Sequence, residues 1–168
     1  MLYVFLYLLA AVLANLSVAY FGAGSTIVNA FLFIGLDLTS RDKLHDAWHG
    51  KWLWGKMLLL IATGSAISYL LNRNAGTIAL ASFVAFGVAG MVDAVTYQLL
   101  IKRGWYFRVN GSNVFSAMAD SIIFPTIAFG MFMPWIVLGQ FVAKTLGGFL
   151  WSWIIKSKRA KRVTAPAD

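Results

Sequence analysis

Six runs of apolar residues, most of them long enough to cross a lipid bilayer, constrain this chain more than any other feature of its sequence. They cover residues 1–20, 26–38, 52–71, 77–101, 114–132 and 135–155, and they leave only short turns, two polar loops and a tail. A spanning helix needs about 20 predominantly apolar residues, so 168 residues hold six such helices and no separate soluble domain. With 60% hydrophobic and 12% charged residues, the chain lacks the polar surface that a soluble domain of this size must present. The solvent around it is therefore mostly lipid. The runs are continuous rather than alternating, which selects helices over the strands of a barrel. The expected fold is an all-α, polytopic six-transmembrane-helix bundle over residues 1–155, followed by a polybasic, unstructured cytoplasmic tail over 156–168.

The segments between the runs support that count. FGAGS (21–25) and NRNAG (72–76) read as tight turns, Thr39–Lys51 as an interfacial helix or loop, and Lys102–Asn113 as a basic, aromatic loop. Pro134 separates the fifth run from the sixth. The first run lacks the positively charged lead of a signal peptide and is read as a span. Arg41, Lys43 and Lys51 follow the second run, Lys102, Arg103 and Arg108 follow the fourth, and KSKRAKR (156–162) follows the sixth. The alternate turns carry only Arg73. By the positive-inside rule this pattern places both termini in the cytoplasm. The net charge of +8 is thereby a feature of topology and of contact with anionic lipid, not of nucleic-acid binding.

Polar residues at membrane depth point to function. Asp93 lies about sixteen residues into the fourth run, Asp120 inside the fifth and Lys144 near the middle of the sixth. A charge at mid-membrane costs about 2.5–3.5 kcal/mol on insertion scales, so such residues face the protein interior and mark pathways or sites. Helical spacing puts Ser112, Ser116 and Asp120 on one face, Gly90, Asp93 and Tyr97 on another, and Gln140 with Lys144 on a third. Asn15 and Asn29 add amides in the first two runs. Together these stripes suggest one interior cavity with hydrogen-bonding walls. The alternative is structural: either aspartate could simply pair with Lys144 or Arg108, and the amides could be interhelical ties worth about 0.6 kcal/mol each.

Several chemistries are absent. No cysteine and no glutamate occur, and His45 and His49 sit at i, i+4 without the glutamate of a zinc-hydrolase helix, so no metal site or cofactor is expected. There is no phosphate-binding glycine loop, no dinucleotide fingerprint and no triad order. The chain does not read as an enzyme.

Residues Ile78–Gly130 carry a recognisable pattern: the run ALASFVAF, the aspartate of MVDAVTY, a following arginine loop, a serine-rich start to the fifth span, and ADSIIFPTIAFG. This block resembles the queuosine precursor transporter (VUT) family, and Ala14–Asn15 and Asp37 fit it more loosely. The chain is shorter than the family's members, chiefly near the second and third spans, and Asp37 is followed by LTSRDKLHD rather than by glutamate and tyrosine-glycine.

The resemblance implies uptake of 7-cyano-7-deazaguanine or its aminomethyl relative across a bacterial cytoplasmic membrane. It implies that Asp93 or Asp120 accepts the paired N1–H and amine donors of the base. Lys144, Arg108, Asn15 and Gln140 would meet its acceptors, with Ser116 beside them and Phe86, Tyr97 and Phe124 against its faces. The expected partners are this small molecule and the bilayer, with a homodimer as an option and no nucleic acid. Two other readings stay open: the substrate-binding S component of an energy-coupling-factor vitamin importer, and a non-transporting scaffold whose buried charges are structural. The orientation is directly testable. A phosphatase reporter fused after Asp168 is expected to be inactive and a fluorescent protein there bright, whereas phosphatase inserted at 72–76 is expected to be active; the opposite pattern would invert the topology.

Overall fold

In the computed structural model the described residues are 2–33, 44, 48 and 52–163, excluding the side chains of 105, 151, 152 and 154–163. Among them the secondary structure is helical throughout. Helix α1 is Leu2–Phe21, α2 covers 25–33, α3 is Leu53–Leu71, α4 is Gly76–Leu99, α5 is Trp105–Phe129 and α6 is Pro134–Val163. A single 3-10 turn, Arg73–Ala75, joins α3 to α4, where Asn72 caps it by accepting the Asn74 N–H at 3.0 Å.

Four helical segments, Leu2–Phe21, Leu53–Leu71, Arg73–Leu99 and Tyr106–Phe129, are long and apolar enough to cross a membrane, with mean hydropathy between 1.2 and 2.1. Only 22–33% of the residues in their apolar windows are buried within the chain, so most of their hydrocarbon faces outward. That is the distribution expected when lipid, not water, meets the exterior. The second predicted span is seen as far as residue 33. Asp37, His45 and His49, on which the readings of a loop and of a metal pair rested, lie outside the described residues.

Two boundaries differ from expectation. The segment expected as a loop over 102–113 is helical from Trp105, so α5 begins nine residues before the predicted span at Val114 (114 − 105). Its asparagine and serine side chains turn back onto their own helix: Asn110 Nδ2 donates to the Tyr106 carbonyl at 2.9 Å and Ser112 Oγ to the Val109 carbonyl at 3.2 Å. Polar residues thus continue the helix by satisfying themselves locally, which composition alone does not reveal. The tail expected to be unstructured is helical to Val163. Lysine, arginine and alanine are good helix formers, and cations are favoured at a helix C-terminus.

Gly130, at φ +67°, ends α5 in the left-handed conformation that glycine adopts without strain, and Pro134 opens α6 as a first-turn proline. Helices α4 and α5 pack most extensively, followed by α5 with α6. Ala81, Ala85 and Ala89, the small stripe of α4, are buried, with Ala81 and Ala85 fully so in one apolar cluster with Val18, Ile78 and Phe124. Tyr7, Leu44, Met57, Leu60 and Ile61 form the second cluster.

Three helices meet at one amide. Asn15 Nδ2 on α1 donates to Ser68 Oγ on α3 at 3.1 Å, and Asn15 Oδ1 accepts from Ser82 Oγ on α4 at 2.5 Å. Ser68 Oγ in turn donates to the Gly64 carbonyl at 2.8 Å. Interhelical bonds of this kind contribute about 0.6 kcal/mol on average and up to about 1.7 kcal/mol. Asn15→Leu removes two of them and strands the Ser82 hydroxyl. The expected loss is about 1–2 kcal/mol in a detergent unfolding titration, against less than about 0.5 kcal/mol for Leu13→Ile on the exposed face of α1.

Candidate functional site

A cavity of about 180 Å³ opens between α1, α2, α4, α5 and α6, with α3 absent from its walls. One buried water needs roughly a tenth of that space. Its walls are mainly apolar, from Ala10, Ala14 and Val18 on α1 to Ala89 on α4, with aromatic panels from Tyr7, Phe33, Phe86 and Phe124. The polar groups converge from separate helices: Asn15 on α1, Thr26 and Asn29 on α2, Ser82 on α4, Asn113, Ser116 and Asp120 on α5, and Gln140 and Lys144 on α6.

Helical spacing delivers each group. Ser116 and Asp120 are one turn apart on α5, and Gln140 and Lys144 one turn apart on α6. Their side chains meet across the α5–α6 contact. Lys144 Nζ donates to Asp120 Oδ2 in a short ion pair and to Gln140 Oε1 at 3.0 Å. The side chains of Lys144 and Asp120 are only 16% and 10% exposed, so the pair is largely shielded from solvent. Gln140 is 1% exposed, and its Nε2 has no hydrogen-bond partner among the described residues. Helix α2 is held onto this set from two sides. Asn29 Nδ2 donates to Ser17 Oγ at 2.5 Å and to the Ala14 carbonyl at 3.2 Å. At Gly139, beside Gln140, an added Cβ would meet the Cδ1 tip of Ile27 on α2, which would have to turn aside.

Seven of the ten residues singled out from sequence line this cavity: Asn15, Phe86, Ser116, Asp120, Phe124, Gln140 and Lys144. The other three gather elsewhere. The Arg108 guanidinium lies over the Tyr97 ring, 4.8 Å from its centroid, and its Nη1 donates to the Ile101 carbonyl at 3.3 Å. Asp93 is one turn beyond Ala89, the last residue of α4 on the cavity wall, and its buried Oδ1 has no hydrogen-bond partner. Tyr97 and Arg108 therefore form a separate contact between α4 and α5, and Asp93 too lies outside the cavity lining.

Tyr7, Thr26, Phe33, Ser82 and Asn113 also line the cavity and were not picked out from sequence. Ser82 had a signal, since it lies one turn before Phe86 on the same face of α4, and Asn113 lies three residues before Ser116. Tyr7 and Phe33 carried none among so many aromatic residues.

Among the described residues there is no group of three or more histidine, aspartate or glutamate side chains able to hold a metal. The chemistry on offer is recognition: a carboxylate oxygen, an ammonium, amides and hydroxyls set on aromatic and aliphatic walls. Removing one member of the ion pair leaves the other as a buried, uncompensated charge, at a cost of about 3–5 kcal/mol, whereas replacing both is close to neutral. Lys144→Met is accordingly expected to lower the unfolding midpoint in micelles sharply. The double variant Lys144→Met with Asp120→Leu should recover most of the loss, and additive losses would show that the two side chains act independently.

Comparison with known proteins assigns this arrangement to a lineage. A family described as "Putative vitamin uptake transporter" matches residues 2–157, nearly the whole chain. No curated protein and no solved structure shows significant similarity to it.

Proposed function

Because this chain belongs to the vitamin uptake transporter family, and is thereby a multi-pass membrane transporter for a small molecule, we propose that its cargo is a 7-deazaguanine base. The base, 7-cyano-7-deazaguanine or its aminomethyl relative, would enter the bacterial cytoplasm through the cavity between α1, α2, α4, α5 and α6. The reading includes six spans with both termini in the cytoplasm, as the loop charges indicate.

The observation that carries it is the Asp120–Lys144–Gln140 set on an otherwise largely apolar, aromatic-panelled wall. A deazaguanine is flat and offers donors and acceptors around its rim. Its faces suit Phe86 and Phe124, and its paired N1–H and amine donors suit a carboxylate such as Asp120, which lines the cavity. Its nitrile suits the Gln140 Nε2–H, which has no partner among the described residues. Asn15, whose amide is engaged at both ends, holds the wall. Binding in a membrane interior requires such a set, because a polar rim stripped of water must be met by protein groups.

The test is queuosine in tRNA from a bacterium lacking precursor synthesis and its own transporter, fed low 7-cyano-7-deazaguanine. Expression of this chain is expected to restore queuosine, and Asp120→Asn, scored per inserted protein because it also leaves Lys144 unpaired, to lose at least about 90% of the restoration. Absence of restoration by the inserted wild-type chain would overturn the cargo. Uptake by the purified chain alone in liposomes separates a self-sufficient transporter from a capture subunit that needs an ATPase partner.

A further inference from the structure

The cavity has a charge balance that selects among its candidate cargoes, an inference that rests on the cavity being the base-binding site. Two side chains on its wall carry full charges, Asp120 and Lys144, and each is bonded to the other. The site is therefore neutral before a ligand arrives. A neutral ligand leaves that balance intact. A ligand bearing an ammonium group adds a second positive charge beside Lys144, while the lining carries a single carboxylate, Asp120, whose charge Lys144 already balances.

Gln140 adds a directional preference. An ammonium has three donors and no acceptor, so the amide of Gln140 must present Oε1 to Lys144, and this fixes Nε2 on the opposite branch. Nε2 is buried and finds no acceptor among the described residues. A buried donor left in this state is unfavourable, and the cavity that Gln140 lines is where an acceptor can be supplied. Sites with a waiting hydrogen-bond group reject ligands that cannot complete it more strongly than sites that read shape alone. Lys144 thus has two effects: it neutralises Asp120, and it orients the Gln140 amide so that a donor faces away from it.

We propose that Lys144 and Gln140 make the cavity selective for an uncharged ligand bearing a hydrogen-bond acceptor, so that the nitrile base is taken and the protonated aminomethyl base refused. The two ligands share one ring system and differ chiefly in this group, which isolates charge from shape. Selectivity then resides in α6 rather than in the aromatic panels.

The experiment is equilibrium binding, with thermal shift as a second readout, of the purified full chain to 7-cyano-7-deazaguanine and to its aminomethyl relative. The wild-type chain is expected to bind the nitrile base at least about tenfold more tightly. Gln140→Glu converts the donor into an acceptor and gives the site a net negative charge, and it is expected to shift the preference by about tenfold or more towards the aminomethyl base. Lys144→Met frees the Asp120 carboxylate and is expected to shift it the same way. Either variant suffices if the other does not fold. Equal affinity for the two bases, or a preference of the wild type for the aminomethyl base, overturns the charge selection and leaves the deazaguanine cargo standing. Failure of the wild type to bind either base overturns both.

Discussion

The hydrogen bonds of one asparagine organise this bundle. In lipid there is no water to satisfy a polar side chain that loses its partner, so a buried amide must be placed between helices that can meet both of its ends. Asn15 meets Ser68 on α3 and Ser82 on α4, and the contact leaves α3 behind α1 and α4, away from the cavity. The remaining polar faces of α4, α5 and α6 then point at a space that α3 does not fill. The architecture of the site follows from where α3 is tied.

On the opposite wall the ion pair plays a comparable part for α5 and α6, at a higher cost. Asp120 and Lys144 are each unfavourable in a membrane by several kcal/mol on their own, and they become tolerable by lying together, with Gln140 as a third partner. A pair of apolar residues would hold two helices together at least as well. Under the proposed function, the two charges and the incompletely bonded glutamine are retained where apolar packing would serve because this surface has another partner to meet. That the family is one of uptake transporters gives the partner its class, a small molecule in transit.

Much of this was legible in the sequence, because hydrophobic runs and helical periodicity are local. The expected spans at 1–20, 52–71 and 77–101 fall within a residue or two of α1, α3 and α4. The polar stripes of α5 and α6 could be read from four-residue spacing. Two things could not. The start of α5 was hidden because Asn110 and Ser112 look like loop residues until their bonds back to the helix are seen. The absence of Asp93 from the cavity lining was hidden too, since its face of α4 is the face that carries Phe86 and Ala89. Periodicity fixes an angle around a helix but not the depth at which a cavity stops, and this cavity stops one turn before Asp93. The pairing of Asp120 with Lys144 was one of several combinations that spacing allowed. Only the packing of α5 on α6 selects it.

The contrast between the two cavity amides, finally, separates scaffold from recognition. Asn15 and Gln140 are both almost fully buried, at 4% and 1% exposed, and both line the same space. Burial and position therefore do not distinguish them. Bonding does: the oxygen and the nitrogen of Asn15 each have a partner, whereas Gln140 has one for its oxygen alone. An amide whose ends are both engaged by the protein resists rotation and gains little from a ligand, so its loss registers as instability. An amide with one end committed to a lysine and the other unpartnered among the described residues is oriented yet incomplete, and under the proposed function its loss registers as altered affinity. In a lipid-bounded cavity, where each unmet donor is costly, that incomplete bond is the feature a ligand is best placed to remedy.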